Sequence, residues 1–446
     1  MMADILTRYF KKDAKRIPFG NNLTPVAFEE KLAQYYKESE EYPALDFDLS
    51  LVEWVSLLEL LLLIQWINHL TTQGKRVRVV FPYTAYIDGI DDQSTKLHHR
   101  GATYDQIYRR QKASDFLCRL QFHEILREIK GEYPIVFHQG KPLPTEVFQD
   151  LDFQDPDPFQ ERLLSLKPFK SESELEINKE LTNEKLRNIL KTHSCLDPVD
   201  SGMLADVAIK ELASNAIQHG IWSPEKGGKL SKHNDIAYLP AWISARLVKS
   251  SWRTKQEAPQ WLSKVYNALL GKHYVELAIS DPGFGIYTTL KDHIPKFVFS
   301  DKPTVKGILD YAFDKFSSSR PQREKDLDRF PTGLFLVYNL VKDNGGVLIL
   351  RSSGFFMAYD FLNNKKDPRL LDLLDETGQC IDVGGTAIQI ILPESRGIFD
   401  TAPLYVDNWQ FVEPEVLIID SPDPNYNGEA DPINIVVSNI KEKCQK

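Results

Sequence analysis

The chain has 446 residues, of which 42% are hydrophobic and 26% charged. That length suggests two to three domains by the usual prior of roughly 100 to 200 residues each, with ample material for a core. A formal charge of −9 excludes a diffuse basic field for holding a phosphate backbone, so nucleic acid is not expected as a partner.

In chain order, the first twelve residues, MMADILTRYFKK, lack the apolar region of a signal peptide. Ala44 to Leu49 alternates like a strand, and Leu57 to Ile67 is an apolar run that Gly74 stops. Arg76 to Phe81 then reads as a second strand. The pattern is a β-α-β unit of parallel strands. The run contains Glu59 and Gln65 and spans about eleven residues, whereas a bilayer needs about twenty. It therefore predicts a buried helix, and no membrane partner.

A second helix is expected over Ser114 to Leu126. Phe148 to Glu161, rich in acid and proline, marks a domain boundary. Glu172 onward predicts a strand end followed by a helix with a solvated, mixed-charge face.

The stretch Asp206 to Gly220, DVAIKELASNAIQHG, places Glu211, Asn215 and His219 at intervals of four. At about 100° per residue they share one face of a helix, while Ala208, Ile209, Leu212, Ala213 and Ala216 form an adjoining buried stripe. An amphipathic helix with a merely polar edge reads the same way. Chemically, however, an Asn oxygen added to triphosphate oxygens is a sufficient protein contribution to Mg2+, and a Glu one turn earlier could orient and deprotonate an acceptor.

Ser223 to Lys272, with Trp242, Trp252 and Trp261, looks like an insertion with helices of its own. Its tryptophans are more often packing residues than a partner surface. Val275 to Ala278 is a strand, and Asp281-Pro282-Gly283-Phe284-Gly285 follows at its end. Glycines two apart let the backbone approach a flat ring, and a buried carboxylate can accept a hydrogen bond from an exocyclic amine such as that of adenine. Pro331-Thr332-Gly333 opens a helix running to Gly345-Gly346, and strands follow at Val347 to Arg351 and, after Gly384-Gly385-Thr386, at Ala387 to Leu392.

In this order the pieces resemble the GHKL ATPase superfamily, the group of DNA gyrase, MutL and the histidine kinases. ELxxNAxxH is similar to its N box, DPGFG to its first glycine box, PTGLFLV to its second, and GGTAIQIILP to its closing strand. The resemblance covers about Leu164 to Pro393. It implies ATP and Mg2+ as cofactors, with Glu211 as general base, Asn215 as metal ligand with His219 in the same box, and Asp281 reading adenine beside Gly283 and Gly285. Thr332, Gly333 and Thr386 fall in the remaining nucleotide boxes. The segment Thr288 to Thr332 occupies the place of the family's ATP lid, where Lys315, Arg320 and Arg323 could meet a triphosphate. The second glycine box departs from G-x-G-x-G: Pro331 and Phe335 hold the outer positions and only Gly333 remains.

The first 150 residues resemble STAS domains, small regulatory modules of anti-sigma antagonists. Ser56, Leu57, Leu58 and Glu59 occupy the positions of that family's Asp-Ser-Ser/Thr-Gly signature, which implies a docking or sensing module rather than a phospho-switch, with Ser56 as a remote substitute acceptor.

The expected architecture is α/β: a STAS-like regulatory domain over 1–150 and a two-layer α/β sandwich of Bergerat type over 162–395, its helices on one face of a mixed sheet. An extension over 396–446 has no assigned role. The expected function is an ATP-dependent switch or a protein serine kinase of anti-sigma type in cytoplasmic signalling, with a protein partner and with homodimerisation left open. A gyrase- or MutL-like machine, or a nucleotide-binding interaction protein with little turnover, are the alternatives. A histidine autokinase is disfavoured, because His123 lies on an apolar-periodic helix and His219 within the N box. The four cysteines, Cys118, Cys195, Cys380 and Cys444, lie far apart and read as reduced thiols of the cytosol.

Overall fold

The computed structural model describes residues 14–82, 104–129, 135–138, 141–144, 163–169, 172–213, 222–223, 228–229, 241–249, 265, 268–269, 272–283, 285–291, 304–313, 333–363, 370–371 and 380–394. Met1–Ser395 form one compact unit and Arg396–Lys446 a second, which lies outside the described residues. So do the expected boundary at Phe148 to Glu161 and most of the segment between Ser223 and Lys272.

The fold is mixed α/β. The chain begins with strands β1 (Lys15–Pro18) and β2 (Asn22–Leu23), helix α1 (Pro25–Glu41), strands β3 (Ala44–Asp48) and β4 (Trp54–Val55), helix α2 (Leu57–Thr72) and strand β5 (Arg76–Val80). Helices α3 (Tyr104–Arg119) and α4 (Phe122–Glu128) and strands β6 (Ile135–His138) and β7 (Lys141–Pro144) follow. Strands β1, β3, β5 and β6 pair in parallel and β7 closes the sheet antiparallel, while β2 and β4 form a separate parallel pair. The expected β-α-β unit is β3-α2-β5. The single helix expected over Ser114 to Leu126 is broken at Leu120–Gln121, where Gln121 takes φ 60°.

The second half comprises β8 (Leu163–Phe169), α5 (Glu172–His193), α6 (Pro198–Val207), a π-helical segment (Ala208–Ala213), β9 (Trp222–Ser223), β10 (Gly228–Lys229), β11 (Ala241–Lys249) and β12 (His273–Asp281). After them come α7 (Gly285–Leu290), α8 (Val305–Tyr311), α9 (Gly333–Asp343), β13 (Val347–Ser352), β14 (Phe355–Asp360), β15 (Leu370–Leu371) and β16 (Thr386–Pro393). Seven strands form one sheet in the order β15-β14-β13-β16-β12-β11-β8. Every pairing within it is antiparallel, so the sheet is not the mixed one expected from sequence. Strands β9 and β10 make a small hairpin-like pair apart from it. Part of the supposed insertion is β11, a nine-residue strand inside this sheet with Trp242 fully buried.

Both faces of the sheet are covered. On one face Val275, Leu277 and Ile279 of β12 join Leu348, Leu350 and Ile390 under α5, α6 and α9. On the other, Tyr274 and Ala278 join Ile349, Ala387 and Ile391 in one apolar cluster with the leucines of α2. Successive side chains of a strand point to opposite faces, so a strand buried on both sides reads as the near-continuous apolar run seen at VELAIS and AIQIIL. The N-terminal part of the chain thus forms a further layer on the sheet face opposite α5, α6 and α9. Ser56, the remote phospho-acceptor candidate, is the buried residue preceding α2.

Buried ion pairs mark this junction. Arg246 of β11 donates through Nε to Glu276 Oε2 at 2.7 Å and through Nη2 to the carbonyl of Val55 at 2.7 Å, its guanidinium stacked between Trp54 and Phe116. Planar, weakly hydrated guanidinium groups suit such sites better than lysine.

Candidate functional site

The site grows from the end of β12. Pro282 has no N–H to continue the ladder, so the strand stops at Asp281, whose Oδ1 accepts a hydrogen bond from Gly283 N at 2.8 Å. Antiparallel register sets Asp281 opposite Thr386, the first residue of β16, and Thr386 opposite Ser352, the last of β13. Three strand ends therefore lie side by side.

Glycine is required twice in this corner. Gly285 has φ +78°, and a Cβ there would lie 2.5 Å from Ser353 Oγ and 3.0 Å from Ser352 Oγ. Gly385 has φ +76°, and its Cβ would overlap the carbonyl oxygen of Asp281. The freed space is used for hydrogen bonds: Gly385 N donates to Gly283 O at 2.6 Å, Ile286 N to Ser352 Oγ at 2.9 Å and Tyr287 N to Ser353 Oγ at 3.2 Å. Ser352 Oγ also lies 3.1 Å from Thr386 Oγ1. The first turn of α7 is thereby fixed against β13 and β16.

Asp281 is half-buried at the strand end, which partly desolvates its carboxyl. That desolvation pushes its pKa up to about 7, against the opposing pull of Gly283 N–H. Its second oxygen, Oδ2, has no hydrogen-bond partner among the described residues. A carboxyl with one oxygen braced and the other unengaged, beside a glycine bend, fits a flat ligand carrying an N–H donor.

Of the residues singled out from sequence, Asp281, Gly283, Gly285 and Thr386 come together here. Gly333 begins α9, and the adjacent Leu334 packs against the small apolar cluster of Leu290, Ile308 and Ala312, which Ile286 and Tyr287 of α7 also meet. The backbone of Glu211 lies in the π-helical segment; its side chain is outside the described residues, as are Asn215, His219, Lys315, Arg320, Arg323 and Thr332.

The α-helical alignment expected for Glu211 onward is corrected over Ala208–Ala213, where i→i+5 bonding replaces i→i+4. Nothing in AIKELA explains the wider turn, but such segments occur mostly as single turns inside α-helices, frequently at functional sites. The buried stripe itself is present, with Ala208, Ile209, Leu212 and Ala213 in the core.

Three participants escaped the sequence reading. Ser352 and Ser353 brace α7, and Gln65 reaches the corner from α2: its Nε2 donates to Asp281 O at 2.6 Å and Thr386 O at 3.2 Å. A serine pair before Gly354 announces a hairpin turn but not its contact with α7. His123 is buried and faces Glu124 at 3.4 Å, as suits a packed histidine.

No protein-family model and no curated protein matches the chain. Among the described residues there is no cluster of three or more His, Cys, Asp or Glu able to hold a metal, and no helix long and apolar enough to cross a membrane.

Proposed function

We propose that the chain is an Mg-ATP-binding regulatory protein of the GHKL superfamily, with a Bergerat-type nucleotide domain and a STAS-like N-terminal domain. It acts as an ATP-dependent switch or a protein serine kinase of anti-sigma type on a protein partner. The observation that carries this reading is the half-buried Asp281 carboxyl, braced through Oδ1 and without a partner at Oδ2 among the described residues, beside Gly283, Gly285 and Gly385.

In this reading Asp281 Oδ2 accepts from the exocyclic amine of adenine while the glycine bend lets the ring lie close to the backbone. The amides at the start of α9 face the phosphates, a role that Gly333 permits and the helix dipole favours. Asn215 would hold Mg2+, which supplies charge neutralisation to the phosphates when bound. Glu211 accepts the proton of the attacking hydroxyl or water.

A second reading, a nucleotide-binding interaction protein with little turnover, is favoured by the second glycine box, in which Gly333 is the sole glycine of PTGLF. Thermal stabilisation by Mg-ATP separates both from a non-nucleotide protein, since any ligand bound only to the folded state raises Tm. Incubation with labelled ATP and measurement of hydrolysis or transfer then separates the two.

A further inference from the structure

The strand ends that carry Asp281 are held from outside their own sheet. Gln65 is buried on α2, 216 residues away in sequence from Asp281, and its carboxamide nitrogen donates to Asp281 O and Thr386 O. One –NH2 group carries two hydrogens, and here each meets a carbonyl on a different strand of the β12–β16 pair. These carbonyls stand at the last register position of the ladder.

The geometry points to Gln65 as a positioning residue through which the N-terminal unit controls the nucleotide site: docking of α2 orders the Asp281–Thr386 corner, and bound nucleotide in turn tightens the docking. This inference rests on the adenine-reading role of Asp281. Gln65 touches only main-chain oxygens, so it acts on the ligand through the attitude of the Asp281 carboxyl one Cα away.

The surface that α2 covers is not apolar throughout. Glu59 and Asn68 of α2 are buried, as are Ser280, Glu276 and Gln389 of the sheet. Asn68 Oδ1, Ser280 Oγ, Glu276 Oε1 and Gln389 Nε2 have no hydrogen-bond partner among the described residues. Every one of these atoms gains a partner when water enters, which lowers the cost of undocking relative to an all-apolar contact. Two states of similar free energy, differing in whether the Gln65 donor is present, are what a coupling between domains requires.

The test uses the full chain with Gln65→Met, which keeps length and helix preference but donates nothing, and Gln65→Leu as a second apolar variant. Leu61→Ala, a cavity in the same helix, is the control for loss of stability alone. Two measurements are made below Tm: Mg-ATP affinity by calorimetry, and amide exchange over residues 279–286 and 385–388 without nucleotide. Faster exchange in both Gln65 variants but not in Leu61→Ala, with nucleotide bound about tenfold more weakly, is the expected result. Exchange at the corner equal to wild type, or affinity that tracks Tm alike in all three variants, overturns the positioning role. A wild-type chain that binds no adenine nucleotide overturns the regulatory claim through the reading of the site, and the nucleotide-free exchange identifies that case because the tether still registers there.

Discussion

Arg351 of β13 and Glu29 of α1 form a buried two-point ion pair, Nε to Oε1 at 2.6 Å and Nη2 to Oε2 at 3.3 Å, across the junction between the N-terminal unit and the seven-stranded sheet. Arg351 Nη2 also donates to Ile381 O at 2.6 Å, and the Glu29 charge holds the guanidinium above its usual range despite burial. Removing one partner strands the other charge, so Glu29→Ala should cost about 3–5 kcal/mol in urea unfolding. The pair Glu29→Leu with Arg351→Met should recover most of that loss. A double variant as unstable as the single one would contradict the pairing.

Glu59 provides a pH test of the same junction. It is fully buried on α2, and desolvation, with like charge from Glu276 and Glu29 added, pushes its pKa from 4.5 up to about 8, against Ser56 and its own backbone amide. The folded state therefore holds this proton more tightly than the unfolded chain. Its contribution to stability is complete below about 4.5 and is lost as pH rises through about 8. Glu59→Gln should flatten the decline of Tm between pH 5 and 9, and a variant whose Tm falls as steeply as that of wild type would refute the buried neutral acid.

Much of this architecture is legible in sequence, because β12, β13 and β16 are apolar runs and Gly74, Gly345 and Gly346 punctuate helices. Strand β11 was hidden because its second face carries Trp242, Ser244 and Arg246, which are buried rather than solvated: Trp242 joins the apolar cluster of α2, Arg246 reaches the carbonyl of Val55, and Ser244 donates to the carbonyl of Leu164 in β8. Gln65 and Glu59 looked like polar interruptions of a leucine helix, and only the tertiary fold reveals that α2 lies on a sheet with polar groups of its own. The break at Gln121 and the π-helical turn at Ala208–Ala213 carry no glycine or proline signal, and the four-residue spacing of Glu211 and Asn215 is equally available to an α-helix. Within the site, the Asp281–Gly285 bend was recognisable from its glycines, whereas the Ser352 and Ser353 contacts depend on register across strands.

Glu211 separates turnover from binding. If it accepts the proton of the nucleophile, Glu211→Ala should keep Mg-ATP affinity within about threefold while hydrolysis or transfer falls by about 10²- to 10⁴-fold in single-turnover assays with labelled ATP. Wild type that neither hydrolyses nor transfers phosphate would leave Glu211 without a catalytic task and favour the interaction-protein reading.

Asp281→Asn, titrated with Mg-ATP by calorimetry beside wild type, tests the nucleotide site most directly. Asn keeps an oxygen to accept from Gly283 N but can turn only an amide donor toward the amine of adenine. Loss of a carboxyl whose pKa is raised by burial also removes a penalty that grows as pH rises through about 7, so the nucleotide-free variant should melt at or above the wild-type Tm at pH 8. Wild-type affinity should itself rise about tenfold from pH 6 to pH 8 as the carboxylate forms, equally for ATP and ADP. The expected outcome is tight binding by wild type and a loss of about 100-fold or more in a variant that is no less stable. Equal heats and equal ATP-induced Tm shifts in the two proteins would contradict Asp281 as the residue that reads the nucleotide.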